Sequence, residues 1–167
     1  MRERKTASRL TQGAVIAALY AVLTLVFAPI SFGPLQLRLA EILTILPMFT
    51  PAAIPGLFLG CALANLLGGA VALDVVFGAL ATLLGALGGW LLRKNRWLVP
   101  LPAVAANGLI VPFVLRYGYG VDLPIPLMML YVAAGEILGC YVLGELLASV
   151  ILRRGGLFAR EKAKKEP

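Results

Sequence analysis

The stretch from Asp74 to Leu115 reads DVVFGALATLLGALGGWLLRKNRWLVPLPAVAANGLIVPFVL. Two apolar runs, about Asp74–Leu92 and Trp97–Leu115, flank one basic patch, Arg93-Lys94-Asn95-Arg96. As helices, each run is long enough to cross a bilayer core of about 30 Å. Trp90 and Trp97 bracket the patch, at the level where interfacial aromatics sit. The reading is two spanning helices joined by a short loop on one side of a membrane.

Working outward, the same pattern continues. A run of about Leu10–Phe32 follows a basic start (Arg2, Arg4, Lys5, Arg9). It is too long for a signal-peptide core and lacks an Ala-x-Ala cleavage site, so it reads as a retained helix. Gly33–Pro34 marks a turn, and a run of about Leu35–Phe49 carries Arg38 and Glu41, with Pro47 and Pro51 ending or kinking it. About Ala52–Val71 forms a third run. Beyond the opening stretch, Tyr117–Pro126 is a Gly- and Pro-containing loop, and the last and longest run is about Leu127–Leu152. The expectation is an all-α integral membrane protein of one domain, a six-helix bundle with spans near 10–32, 35–49, 52–71, 74–92, 97–115 and 127–152 and a basic tail at 153–167.

Composition agrees: 60% of the 167 residues are hydrophobic and only 14% charged. A soluble domain of this length needs more charge to cover its surface, so the solvent of this chain is lipid. The net charge of +7 points to membrane topology and away from nucleic acid. With six spans, both termini and the Arg93–Arg96 loop share one side. That side holds 13 of the 15 Lys and Arg residues, all but Arg38 and Arg116. The positive-inside rule places it in the cytoplasm.

Enzymatic and metal chemistry start weak. There is no histidine, Cys61 and Cys140 lie singly in apolar runs without CxxC spacing, and none of the three serines sits in GxSxG. No cofactor and no metal are expected. Small residues recur at four-residue spacing (Ala14/Ala18, Ala17/Ala21, Gly56/Gly60, Gly85/Gly89, Gly135/Gly139), which permits close helix packing in lipid.

The informative residues are polar ones inside the runs, because an ionisable group in a span is costly. Arg38 and Glu41, three apart, share a helix face and form either a self-neutralising pair or part of a binding site. Asp74 caps its helix or contacts a ligand. Asn65 and Asn107 serve as interhelical glue or as ligand contacts. Glu145 reaches the cytoplasmic interface. Glu136, about 16 Å along its helix from Ile125 at about 1.5 Å per residue, is deep and has no basic partner in its own helix. Together these outline an outward-opening pocket lined by acids, amides and an arginine and roofed by Tyr117 and Tyr119. Carboxylates and aromatics suit a planar ligand rich in N–H donors, cationic or not. The residues alone leave two classes open: a solute-binding membrane subunit, or a small integral-membrane enzyme or scaffold.

Several stretches resemble the queuosine-precursor transporter (QueT) family. They are Ser31-Phe32-Gly33-Pro34-Leu35-Gln36-Leu37-Arg38-Leu39-Ala40-Glu41 with Leu43-Thr44-Ile45-Leu46-Pro47, then Phe49-Thr50-Pro51-Ala52-Ala53-Ile54-Pro55-Gly56-Leu57, and Leu73-Asp74-Val75-Val76-Phe77-Gly78. The spans with Asn107 and Gly135-Glu136 fit as well, so the resemblance covers nearly the whole chain. It implies a six-helix substrate-binding S-component of an energy-coupling factor (ECF) importer in a bacterial plasma membrane. Such components work with a transmembrane coupling subunit (EcfT-like) and two ATPases, in keeping with the lack of a GxxxxGK[ST] motif here. Their first helix typically carries an Ala-x-x-x-Ala contact for the coupling subunit, and both Ala14/Ala18 and Ala17/Ala21 fit. The implied ligand is a 7-deazaguanine such as preQ1, with another vitamin-like solute as the alternative. One carboxylate would take the paired N–H donors of the guanine edge and a second the amine. The substrate-binding candidates are therefore Glu136, Glu41, Arg38, Asp74, Asn65, Asn107 and Tyr117.

Overall fold

A computed structural model describes residues 2–31 and 38–154, which contain helices and no strands. The expected Gly33–Pro34 turn and the basic tail beyond Arg154 lie outside the described residues. Six main helices follow in order: α1 (Arg2–Val26), α2 (Leu39–Met48), α3 (Ala53–Leu67), α4 (Asp74–Leu91), α5 (Leu101–Tyr117) and α6 (Ile125–Arg154). A one-turn helix, Ala28–Ser31, follows α1, and a 3₁₀ turn, Arg96–Leu98, leads into α5.

Four stretches are long and apolar enough to cross a membrane: Thr6–Val26, Asp74–Leu91, Arg96–Tyr117 and Ile125–Arg154. Their outward faces carry exposed large apolar side chains such as Leu19, Val22, Leu84, Leu109, Leu130 and Leu146. A water-facing surface of this kind would be an aggregation hazard, whereas hydrocarbon is its natural solvent.

Two helices depart from the spans read in the sequence. Where 35–49 is expected to span, α2 is a ten-residue 3₁₀ helix with Pro47 inside it. At about 2 Å per residue it covers only about 20 Å. It is buried on nearly every side, from Ala40 and Glu41 through Pro47, and packs among α1, α3, α4 and α6. An apolar helix without a polar face belongs in a core, and α2 is that core. Helix α3 stops at Leu67, short of the expected Val71. Gly68 caps it and Gly69 turns the chain at φ 72°, a conformation that glycine adopts without strain.

Close helix contact is made where the small residues stand. A Cβ on Gly56 would lie 2.7 Å from the Gly13 carbonyl oxygen, and one on Gly60 would lie 2.8 Å from both the Ala17 carbonyl oxygen and the Tyr20 Cβ. Helices α1 and α3 therefore cross backbone against backbone. Gly85 does the same for α4 against Ala103 of α5. Ile16, Tyr20, Ile45, Leu57, Cys61, Ala86 and Val99 form the main core, and Val111, Leu115, Met128 and Val132 a second one between α5 and α6.

Two helices carry a π-helical stretch, Asp74–Gly78 at the start of α4 and Ile137–Leu143 within α6. Such widened turns are uncommon and frequent at functional sites. Here one begins with Asp74 and the other directly follows Glu136.

Candidate ligand-binding site

Two groups of buried polar residues lie in the interior, and the first is built around Asp74. Its carboxylate is fully buried. The Arg38 Nη2 donates to Oδ1 at 3.1 Å and to Oδ2 at 3.0 Å, and the Tyr119 hydroxyl donates to Oδ2 at 2.9 Å. The Asn65 Nδ2 donates to the Asp74 backbone oxygen at 2.8 Å. Arg38 Nη1 also lies 3.6 Å from the Cys61 sulfur. A Cβ on Gly78 would collide with Asp74 Oδ1 and come within 3.1 Å of Asn65 Nδ2, so glycine is what lets α4 close on this group. Burial, and then the Asp74 carboxylate, push the Tyr119 phenol up to about 12, which keeps it a donor.

Arg38 and Glu41 are thus not an intrahelical pair. Arg38 is the residue before α2, with extended backbone at φ −84° and ψ 103°. Its side chain leaves the helix face and crosses to α4. Nor is the Asp74 side chain a helix cap; its oxygens serve Arg38 and Tyr119.

The second group is built around Glu41 and Glu136, which are 1% and 4% exposed. Tyr20 of α1 donates its hydroxyl to Glu41 Oε1 at 2.5 Å. The other oxygen, Glu41 Oε2, is buried and has no hydrogen-bond partner. The Cys140 thiol donates to Glu136 Oε2 at 3.2 Å, and Thr44 lies 3.3 Å from the same sulfur while donating to the Glu41 carbonyl at 2.6 Å. Asn107 of α5 stands within polar reach of Glu136, its buried Nδ2 short of a well-formed hydrogen bond. Gly139 makes room for the pair: a Cβ there would lie 3.4 Å from the Glu41 Cβ.

Charge decides what this second group can hold. Arg38 is engaged with Asp74, and Glu145 with Arg96 at 2.5 Å near the other end of α6. Among the described residues no basic side chain forms an ion pair with Glu41 or Glu136. Two buried carboxylates in one place call for a proton between them or a cation. Single ligand atoms of Glu41, Glu136 and Cys140 lie within 4.8 Å of one another, so a metal ion is one possible guest. The amide N–H donors of Asn107 beside them fit a metal badly and fit an organic cation with a neighbouring acceptor well.

Of the residues singled out in the sequence, the structure brings Arg38, Asp74 and Asn65 into the first group and Glu41, Glu136 and Asn107 into the second. Tyr117 joins neither, being 72% exposed, and Tyr119 is the loop aromatic that reaches inward. Tyr20 was not singled out. Its one signal is a hydroxyl inside an apolar run, since a buried phenol needs an acceptor. Among the small-residue positions on α1, Ala17 and Ala21 are buried while Ala14 and Ala18 face outward.

A family model described as QueT transporter matches residues 10–153. The chain belongs to the QueT transporter family. A curated protein, the queuosine precursor transporter QueT of Lactococcus lactis subsp. cremoris (strain MG1363), is 36% identical over 85 residues. That match spans 50% of this chain and 49% of the relative, about half of each. No solved structure matches. As a QueT family member with several apolar helices, the chain is a multi-pass membrane protein of a transporter family.

Proposed function

We propose that this chain is the substrate-binding S-component of an ECF-type importer in a bacterial plasma membrane, and that it takes up a 7-deazaguanine queuosine precursor such as preQ1. The observation that carries the reading is the buried Glu41–Glu136 pair, with an unpartnered acceptor on Glu41 and an unpartnered donor on Asn107. A guanine edge offers two adjacent N–H donors and a carbonyl acceptor. Glu136 accepts the former, Asn107 Nδ2 donates to the latter, and the ligand's aminomethyl cation answers the second carboxylate. The name of the Lactococcus relative supports the substrate class. Asp74 and its donors hold the outer ends of α2 and α4 together around this pocket rather than meeting the ligand. The test is calorimetric titration of the purified protein with preQ1, guanine and a panel of vitamins. Selective binding of preQ1 is expected; binding of a vitamin instead would move the chain to another substrate, and turnover of a lipid by the isolated chain would make it an enzyme.

In this reading all six helices sit in the bilayer, with α2 enclosed by its neighbours, α3 facing lipid at Leu59, Leu63, Leu66 and Leu67, and both termini cytoplasmic. Cysteine-accessibility labelling is expected to reach positions 93–96 from the cytoplasm and Tyr119–Asp122 from outside. Labelling of position 122 from inside would overturn the topology.

Energy comes from partner ATPases through a coupling subunit that packs on the outer face of α1. The exposed pair Ala14/Ala18 suits that contact, since Ala17 is taken up against Gly60. Ala14→Trp and Ala18→Trp are expected to fold and bind ligand yet lose transport in a reconstituted complex. Ala17→Trp, forced against the α3 backbone, should instead fail in thermal stability. Normal transport by both outward variants would place the coupling face elsewhere.

A further inference from the structure

Glu41 and Glu136 are chemically alike but are not presented alike. Glu136 accepts from a thiol, a weak donor, at 3.2 Å, with the Asn107 amide beside it. Glu41 is gripped at Oε1 by a phenol at 2.5 Å and offers only Oε2. The grip comes from Tyr20, a fully buried side chain on α1 whose Cβ sits where a side chain on Gly60 would have to go. Absence of a side chain at Gly60 is thus what seats the ring, and the seated ring is what fixes the carboxylate.

From this asymmetry we infer that Tyr20 is a specificity-positioning residue: by holding Glu41 Oε1 it leaves one aimed acceptor that selects a single charged amine and orients the ligand. The inference rests on the reading of the pocket given under the proposed function. Paired N–H donors displace or share with a weak thiol more readily than with a phenol, so Glu136 is the better seat for them and Glu41, held at Oε1, the poorer one. A lone ammonium needs one acceptor and a negative charge, which Glu41 Oε2 supplies. A neutral group with a lone pair in that place, such as a nitrile, would set acceptor against acceptor and leave the carboxylate uncompensated. The ligand therefore enters in one orientation, guanine edge to Glu136 and amine to Glu41.

Two 7-deazaguanines with the same guanine edge separate the arms of the site: preQ1, with an aminomethyl group, and preQ0, with a nitrile. Calorimetric titrations at fixed pH are expected to show wild-type protein binding preQ1 at least about tenfold more tightly than preQ0, the scale of one charge-assisted hydrogen bond. Glu41→Gln should erase that ratio, and Tyr20→Phe should reduce it several-fold by weakening preQ1 while leaving preQ0 nearly unchanged. A merely structural tyrosine would weaken both ligands alike and lower the thermal midpoint without moving the ratio, which overturns the inference. Equal wild-type affinity for the two compounds, with both lost in Glu136→Gln, would keep the pocket and overturn the role of Tyr20. Failure of wild-type protein to bind either compound would overturn the pocket reading and the inference with it.

Discussion

Asp74→Asn is expected to be among the most destabilising single substitutions in the protein. Its carboxylate is buried, and two oxygens accept from Arg38 and one of them also from Tyr119. Asparagine keeps the size but removes the charge and replaces one acceptor by an N–H₂ group aimed at donors. Arg38, itself buried, would lose the carboxylate it is bonded to. Breaking one side of a buried ion pair costs about 3–5 kcal/mol, because the remaining charge stays out of water without compensation. The measurement is thermal or denaturant unfolding in detergent or nanodiscs. Replacing both partners, as in Arg38→Met with Asp74→Leu, should recover much of the loss, since it removes the stranded charge. Asp122→Asn, which touches only the exposed Arg116 pair, is the control and should change little. Wild-type stability in Asp74→Asn would mean that this carboxylate is not what neutralises Arg38.

Glu136→Gln has the largest expected effect on ligand binding. The variant keeps the shape of the side chain, loses the charge and sets an amide donor against the ligand's own N–H donors. Losing a charge-assisted bond and leaving a mismatched polar group should together cost about 2–5 kcal/mol, or tens- to thousands-fold in affinity. Glu145→Gln is the control. That residue pairs with Arg96, whose guanidinium also reaches Ser149 at 2.9 Å, far along α6 from the pocket. It should lower stability modestly and leave binding of preQ1 unchanged. Titrations of both variants, with folding checked by thermal melts, decide the matter. Undiminished affinity in a folded Glu136→Gln protein would assign Glu136 a structural role and leave Glu41 as the buried acid facing the ligand.

The architecture was legible in the sequence to the extent that hydropathy and charge determine it. The long apolar runs became helices, and the interior charges were recognisable because lipid makes each of them costly. What local spacing could not supply was pairing across the bundle. Arg38 and Glu41 look like neighbours only if Arg38 is helical, and its extended backbone sends it 36 residues along the chain to Asp74. The winding of α2 is a related case. Its sequence is apolar enough to span, but Pro47 and the tight 3₁₀ winding give a short helix that is enclosed by its neighbours. Tyr20 was hidden because an aromatic residue in an apolar run reads as packing, and only the position of Glu41 against its hydroxyl shows otherwise.

The π-helical stretch in α6 has a consequence for how the helix can change. A wide turn slips the helical phase, so Gly144–Arg154 is set at an angle that a plain α-helix would not give it relative to Glu136. Removing one residue between Ile137 and Leu143 would let the stretch wind as an ordinary helix with Gly144–Arg154 in nearly its present phase, whereas ordinary winding with every residue kept would rotate everything beyond it by about 100°. Glu145 and Ser149 would swing away from Arg96, while Glu136, ahead of the slip, would keep its place beside Asn107. The rod is continuous in space yet is two independently registered surfaces, one at the buried carboxylates and the other at Arg96.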